Sequence, residues 1–354
     1  MGWWLLTRLG RAALAAWGIA SLVFVLSRQL PTGPELATLE EAGNLSRPAA
    51  AMSAAAAPAA ARQLRHRLGL DEPAFYITRS AARPGGWHWH GAHNQYHQWV
   101  MLLLHGNLGQ SYRDGQPVAS LLRQALGYSL PLAAGAATLA TALALGLALY
   151  LARASGGKVR ALIRAGLAGL QVMPLFLLAL ALLLLLANPD VLDLFPATGR
   201  ISDTTAGSAG QLIGYWAARS ALPLLSLILA VVPSLTLPLE AALRHEARMA
   251  YATTARAKGL GVGQVLRRHA LPNAVLPLLT TLTDLLPALV AGTVVVEVVF
   301  SLPGSGRLLA EAAAAHDYPV VVAGVLLTAA ARLLGLILAD ILYFTIDPRL
   351  RPTA

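Results

Sequence analysis

Apolar side chains dominate six stretches of this chain, and most charged residues lie between them. The stretches run approximately over Ala12–Val25, Tyr128–Leu151, Leu162–Ala187, Ala221–Leu239, Ala274–Val299 and Val320–Phe344. A helix of about twenty residues crosses the hydrocarbon core of a bilayer, and each of the last five stretches is about that long. The pattern predicts an all-α polytopic membrane protein with six transmembrane helices.

The first stretch could be confused with a secretory signal, because Arg8 and Arg11 precede a short apolar run. The residues that follow it, SRQLPTGPEL, offer no convincing small-x-small cleavage site. We therefore expect a retained anchor helix, so that residues 1–26 hold the N-terminus and the first span.

Lys and Arg fall on alternate connections between the apolar stretches, which predicts the orientation of the chain. They occur before the first stretch, after the second, after the fourth and after the sixth, at Arg8, Arg11, Arg153, Lys158, Arg160, Arg164, the 244–268 cluster, Arg349 and Arg351. Short connections rich in these cations stay cytoplasmic. Both termini are therefore expected in the cytoplasm, and the long segment 27–126 is expected to form a small periplasmic or extracellular insertion.

Composition agrees with a membrane location and removes other classes. The chain is 56% hydrophobic and only 12% charged, which is too little polar surface for a soluble protein of 354 residues. The net charge of +10 would suit nucleic acid, but the cations flank apolar stretches, where orientation in the membrane accounts for them. The absence of cysteine excludes disulfides, thiolate metal sites and cysteine catalysis.

The insertion carries a histidine-rich and aromatic-rich segment, GGWHWHGAHNQYHQW. His93 and His97 would share a helix face, and His88 and His90 would share a strand face. Both spacings suit a transition metal. The alternative is an aromatic loop at the membrane interface, where Trp and Tyr favour the headgroup region.

Sequence signatures of catalysis are missing. The segment SGGKV at 155–159 lacks the upstream Gly and the hydroxyl residue of a phosphate-binding loop, and the sequence contains no HExxH or GxSxG. We expect a non-enzymatic chain that hydrolyses no ATP and binds no cofactor of its own.

The connection between the fourth and fifth stretches is basic and punctuated by glycine. It contains Arg256, Lys258, Arg267 and Arg268, so it should remain cytoplasmic and present its surface there. The pattern predicts a short helix from about Ala250 to Lys258, ended by Gly259 in a left-handed conformation. Such a helix could insert into a groove of another protein as a rigid knob, anchored by Tyr251.

Several motifs occur in one order along nearly the whole chain. They are LGLDEP at 68–73, GNLGQSYRDGQPV at 106–118, TTARAKG at 253–259, LPNAVLP at 271–277, GTVVVEVVFSLPGSGRLLAEA at 292–312, HDYPVV at 316–321 and IDPRLR at 346–351. Together they resemble the permeases of ABC importers of the dipeptide/oligopeptide/nickel family, whose EAA motif corresponds to the third of these segments.

The resemblance implies a permease subunit in a bacterial inner membrane. The implied partners are a second homologous permease, two cytoplasmic ATPase subunits that hold ATP and Mg, an external solute-binding protein and the lipid bilayer. It also implies that the loop 243–272, within a permease core spanning 127–354, couples to the ATPases. The implied coupling residues are Tyr251, Thr254, Ala255, Arg256, Lys258, Gly259, Leu271 and Pro272.

Two charges interrupt the last two apolar stretches. Asp284 and Arg332 each lie about eleven or twelve residues from a cytoplasmic end, which is near mid-membrane. An unpaired charge is unfavourable there. They could form a structural ion pair, or they could line the substrate path and bind a zwitterion.

The substrate is the least determined property. The family that the chain resembles carries peptides, nickel or its chelates, and opines. Peptide import is the leading interpretation, with nickel or a metal chelate as the alternative because of the histidines. A membrane scaffold or receptor that transports nothing is a further alternative, although it would not require an intact coupling loop.

Overall fold

The computed structural model describes residues 2–29, 71–79, 86–153, 156–195, 209–275 and 293–346, and they are mainly helical. The longer elements are α1 (Gly2–Gln29), α2 (Gln95–Leu104), α3 (Val118–Ala152), α4 (Lys158–Val172), α5 (Leu175–Leu186) and α6 (Ala209–Glu246). Next come α7 (Ala250–Ala257) and α8 (Val262–Val265), which continues as a π turn (Leu266–Ala270). The last helices are α9 (293–299), α10 (Ser305–Ala314) and α11 (Tyr318–Ile346). The expectation of an all-α chain needs one small amendment, a sheet of two strands, β1 (Ile77–Arg79) and β2 (Trp87–Trp89).

The chain divides into two compact units. The larger comprises Met1–Leu5, Leu126–Arg307 and Ala330–Ala354, and the smaller comprises Leu6–Ala125 and Leu308–Ala329. Of the predicted insertion 27–126, the structure describes 27–29, which end α1, and the ranges 71–79 and 86–126.

A row of alanines on α3 forms one side of the core of the larger unit. Ala136, Ala140, Ala144 and Ala148 recur every fourth residue and are buried to 1% exposure or less. Residues four apart lie on one helix face, and small side chains there let helix backbones approach closely in a membrane. Leucines of α6 pack in the same core, where Leu235 and Leu243 are fully buried.

The helix α6 remains continuous although it contains Pro223, Pro233 and Pro238. Neighbouring helices can compensate for the backbone hydrogen bonds that proline removes in a membrane. Both α4 and α5 pack against α6 within the larger unit.

The predicted span over Leu162–Ala187 is not one continuous helix. The helix stops after Val172, and α4 and α5 meet at a bend of 111°. Pro174 explains the break, because proline disfavours the helical conformation of the preceding residue. Met173 accordingly has extended backbone angles, with φ −76° and ψ 121°.

Three of the described helices are long and apolar enough to cross a membrane, and a fourth span is added if the bent α4–α5 pair is counted as one. They correspond to the predicted second, fourth and sixth spans, in α3, α6 and α11. In α1 the apolar part, Ala13–Val25, falls short of a full span by itself. Most of the predicted fifth span lies outside the described residues, since 276–292 are not among them.

An aromatic cluster packs α2 and the segment before β1 against α1 in the smaller unit. Phe24 of α1 stacks on Trp99 with ring centres 5.2 Å apart, and Phe75 stacks on Tyr96 at 4.8 Å. The hydroxyls of Ser21 and Tyr96 share a hydrogen bond of 2.8 Å. Burying several aromatic rings together stabilises a small subdomain that has few long elements.

Candidate functional site

The predicted short helix in the loop 243–272 is present, and it ends as expected. It occupies Ala250–Ala257, and Gly259 adopts φ +88°, which is the left-handed region. The Gly259 N–H donates to the Arg256 carbonyl at 2.9 Å, and the Leu260 N–H donates to the Ala255 carbonyl at 3.3 Å. This pair of hydrogen bonds is a Schellman motif, and it satisfies carbonyls that the helix end would leave without partners.

Apolar packing fixes the turn after α7. Ala252, Ala255 and Val265 are buried together, and Leu260 packs against them. A contact between the residue after the glycine and the last turn of the helix commonly accompanies a Schellman motif. The turn therefore holds α7 and α8 as one compact hairpin, which we call the α7–α8 hairpin.

Tyr251 connects the hairpin to the helices before and after it. Its phenol donates to the Glu246 carboxylate at the end of α6, and Asn273 Nδ2 donates to the same phenol oxygen at 3.2 Å. Partial burial, together with the hydrogen bond to Glu246, raises the pKa of Tyr251 above its ordinary value of about 10. The phenol is thus a neutral donor at physiological pH, and the side chain is still 38% exposed.

Most of the predicted coupling residues in the hairpin are exposed. Thr254, Arg256, Lys258 and Gly259 are exposed, whereas Ala255 is buried. Arg256 Nη2 donates to the Ala247 carbonyl at 3.2 Å and to Thr253 Oγ1 at 3.3 Å, so this guanidinium also braces the junction between α6 and α7.

A π turn precedes Pro272. The Leu271 N–H donates to the carbonyl of Leu266, five residues back, where an α-helix would use a residue four back. Pro272 has no N–H to give to the carbonyl of Arg268, and the wider turn relieves the crowding that proline causes in a helix. Leu271 packs on the core of the larger unit, and Pro272 is exposed.

A buried carboxylate near the end of α6 was missed by the sequence analysis. Glu240 is 5% exposed, and its Oε1 lies 2.8 Å from Arg164 Nη2 of α4 and 3.0 Å from Arg244 Nε of α6. Both guanidinium groups also donate to the Leu151 carbonyl at the end of α3, each at 3.3 Å. The sequence analysis counted both arginines only as orientation signals. The available signal was a glutamate in an apolar helix, four residues before an arginine.

A second buried carboxylate joins distant parts of the larger unit. Glu297 is 1% exposed and accepts hydrogen bonds from Ser129 Oγ at 2.6 Å and from the Gly306 N–H at 2.7 Å. The Arg307 N–H donates to it at 3.1 Å. A carboxylate is favourable at the first turn of a helix, and Glu297 holds the start of α10 in this way.

Two separated motifs also meet in the smaller unit. Asp317 is 3% exposed and accepts hydrogen bonds from Ser111 Oγ at 2.5 Å and from the Tyr112 N–H at 3.0 Å. The segments 106–118 and 316–321 are therefore one packed structure, which sequence order alone does not reveal.

The four histidines of the insertion are not gathered around one point. His93 precedes α2, because Asn94 caps that helix by accepting from the His97 N–H at 2.7 Å, so His93 and His97 share no helix face. His88 and His90 do lie together, with ring centres 4.8 Å apart. His90 bonds Thr78 Oγ1 at 2.6 Å and His97 bonds the Tyr76 hydroxyl at 3.0 Å. Across the described ranges, no group of three or more His, Asp or Glu side chains could hold a metal ion.

The two intramembrane charges cannot be compared directly. Asp284 lies outside the described residues. Arg332 lies fifteenth in the 29-residue helix α11 and is exposed on this single chain.

Known proteins resemble the chain over nearly its full length. It is 30% identical to the "Dipeptide transport system permease protein DppB" of Escherichia coli (strain K12), with 98% of each chain covered. It is 27% identical to the protein of the same name from Lactococcus lactis subsp. cremoris, with 98% of this chain and 99% of the relative covered.

The α7–α8 hairpin and most of the core of the larger unit fall within residues 144–352, over which the chain matches a family of transport proteins. That match covers more than half of the chain, and the full-length similarity to a dipeptide permease agrees with it. The chain belongs to the family of binding-protein-dependent transport system inner membrane components.

Proposed function

We propose that this chain is one of the two permease subunits of an ATP-driven importer of dipeptides or other short peptides. The observation that carries the proposal is the α7–α8 hairpin with its glycine cap, in a chain that matches dipeptide permeases from end to end. A hairpin of this kind presents a rigid surface, because its turn is held by backbone hydrogen bonds and by buried apolar contacts.

In the proposed mechanism the hairpin contacts one of two cytoplasmic ATPase subunits. Exposed cations, including Arg256 and Lys258, meet carboxylates or carbonyls on that partner. The energy comes from hydrolysis of ATP, which the ATPases bind together with Mg, since this sequence contains no phosphate-binding loop. An external solute-binding protein delivers the peptide.

The proposed orientation places both termini and the hairpin in the cytoplasm. The alternation of Lys and Arg between the apolar stretches supports it. The segments 71–79 and 86–104, which carry β1, β2 and α2, then lie on the opposite side of a bacterial inner membrane.

Arg332, with Asp284, is proposed to lie on the peptide path. Arg332 is exposed in the middle of an apolar helix, and a charge at the bilayer centre is unfavourable unless it faces protein or water. A path between this chain and the second permease would give the guanidinium a polar environment and a peptide carboxylate to bind.

Peptides fit the observations better than nickel. The two relatives are named as dipeptide permeases, and the insertion histidines bond to Tyr76 and Thr78 without converging on one point. A scaffold that transports nothing would have no use for the capped hairpin.

The experiment is reconstitution of the full transporter in liposomes, with its second permease, ATPases and binding protein. A mixture of radiolabelled dipeptides is the probe. The purified permease alone should show no ATPase activity, and the complete complex should hydrolyse ATP faster when peptide-loaded binding protein is present.

Gly259→Leu is the decisive variant. A leucine is strained at φ +88°, so the Schellman turn should deform and uptake should fall at least tenfold at normal assembly. Gly259→Asn is the matched control, because asparagine tolerates the left-handed region and should retain most uptake.

In the same assay, Arg332→Gln should fold but bind peptide less tightly in the path, which lowers uptake. Wild-type uptake by Gly259→Leu would overturn the assigned role of the hairpin, and wild-type uptake by Arg332→Gln would remove that residue from the path.

A further inference from the structure

Three helices of the larger unit meet at one buried carboxylate. Glu240 of α6 lies between Arg164 of α4 and Arg244 of α6, and both guanidinium groups reach the Leu151 carbonyl at the last turn of α3. We call Glu240, Arg164 and Arg244 the charge clamp.

The clamp is electrostatically balanced by the helix end as well as by the carboxylate. Two guanidinium charges face one carboxylate, which leaves an excess positive charge. The carbonyls at the end of a helix carry roughly half a negative charge, and cations are favourable there. The end of α3 is therefore a component of the clamp, and α3, α4 and α6 are fixed to each other at this point.

The clamp is close to the α7–α8 hairpin along the chain. Glu240 precedes Glu246 by six residues of the same helix, about 9 Å of rise. The Glu246 carboxylate accepts from Tyr251, and Tyr251 is the second residue of α7. A displacement of the hairpin thus reaches the clamp through one rigid helix segment.

We propose that Glu240 is a positioning residue that couples the hairpin to the membrane helices. The clamp makes α3 and α4 follow the end of α6 when an ATPase moves the hairpin. Without it, the end of α6 would bend or slide, and ATP would be hydrolysed without transport. This inference rests on the proposed function, and it assigns the transmission of movement to three named side chains.

The test compares Glu240→Gln with wild type in the reconstituted transporter. The amide keeps the size of the side chain but leaves the two guanidinium groups without their counter-charge. We expect ATP hydrolysis to continue while the number of dipeptides imported per ATP falls at least fivefold. A role limited to folding would instead lower both rates in proportion to the amount of assembled complex.

A spectroscopic readout tests the same point in the purified permease. The chain has no cysteine, so Leu162→Cys on α4 and Thr253→Cys on α7 give two unique sites for nitroxide labels, both exposed. Glu240→Gln should broaden the distribution of the distance between the labels.

Glu311→Gln is the control, because it removes an ion pair of 3.9 Å between two exposed side chains, Arg113 and Glu311. It should change neither readout. If Glu240→Gln is not recovered folded, Arg164→Gln decides by the same two readouts, since it retains the pair of Glu240 with Arg244.

Wild-type stoichiometry together with an unchanged label distance, in whichever of these two variants is folded, would overturn the inference. That failure is distinguishable from failure of the proposed function. Normal uptake by Gly259→Leu would contradict the proposed function. Impaired uptake by Gly259→Leu, together with normal coupling in the clamp variant, would contradict only the coupling role of the charge clamp.

Discussion

At the scale of single residues, buried carboxylates organise the described part of this chain. Glu240, Glu297 and Asp317 are each 5% exposed or less. Each accepts a hydrogen bond from a residue that is distant in sequence. Burying a charge is unfavourable unless it is paired, so each carboxylate specifies one arrangement of its partners.

Gly306 gives the sharpest prediction at this scale. A Cβ added there would lie 2.4 Å from the Val294 Cα, which is backbone and cannot rotate away. We expect Gly306→Ala to separate α9 from α10, weaken the Glu297 hydrogen bonds and lower the folded yield at least threefold. Fluorescence-detected size-exclusion chromatography measures that yield.

Gly169→Ala is its matched control within α4. An added Cβ there meets nothing within 4 Å, and alanine favours helix over glycine. Its yield should equal or exceed that of wild type. Equal yields for the two variants would contradict the close packing at Gly306.

At the scale of elements, the α7–α8 hairpin depends on short-range chemistry and on one longer link. The glycine cap is local, whereas Tyr251 connects Glu246 of α6 with Asn273 after the π turn. The raised pKa of Tyr251 means that the folded form retains the phenolic proton. Its contribution to stability is therefore fully present below pH about 10 and is lost as the pH rises through the raised pKa.

Tyr251→Phe should loosen this link while the ring remains in place. Because the phenol is partly exposed, the loss should lie at the lower end of the roughly 0.5–1.5 kcal/mol of a hydrogen bond. We expect a small fall in melting temperature and about a twofold fall in dipeptides imported per ATP. In wild type, neither quantity should change through Tyr251 titration between pH 6 and 9.

Tyr150→Phe provides the comparison. Tyr150 is also 38% exposed, and its ring lies under the Arg160 guanidinium at 5.1 Å, a contact that phenylalanine keeps. If both tyrosine variants couple equally well, the Tyr251 link plays no part in transmission.

At the scale of the whole molecule, orientation in the membrane decides which surfaces meet which partners. A chain without cysteine allows each side to be labelled separately. Ala92→Cys, between β2 and α2, should react with a membrane-impermeant maleimide in intact spheroplasts. Thr253→Cys, on α7, should react only after the membrane is disrupted. The reverse pattern would invert the proposed orientation.

Much of the architecture could be predicted from the sequence because it depends on local physics. Apolar stretches of sufficient length located α3, α6 and α11, and glycine after a basic helix located the cap at Gly259. The break between α4 and α5 was predictable in principle, since Pro174 interrupts the apolar stretch, but hydropathy alone hides it.

The sequence by itself determined the membrane class, the long apolar helices α3, α6 and α11, and the form of the α7–α8 hairpin, since hydropathy and backbone conformation act over a few residues. Only the tertiary structure decided which groups meet. Ser129 and Glu297 are 168 residues apart, Ser111 and Asp317 are 206 apart, and Arg164 and Glu240 are 76 apart. A buried carboxylate requires a donor but does not specify where in the chain that donor lies, and the tertiary packing selects it.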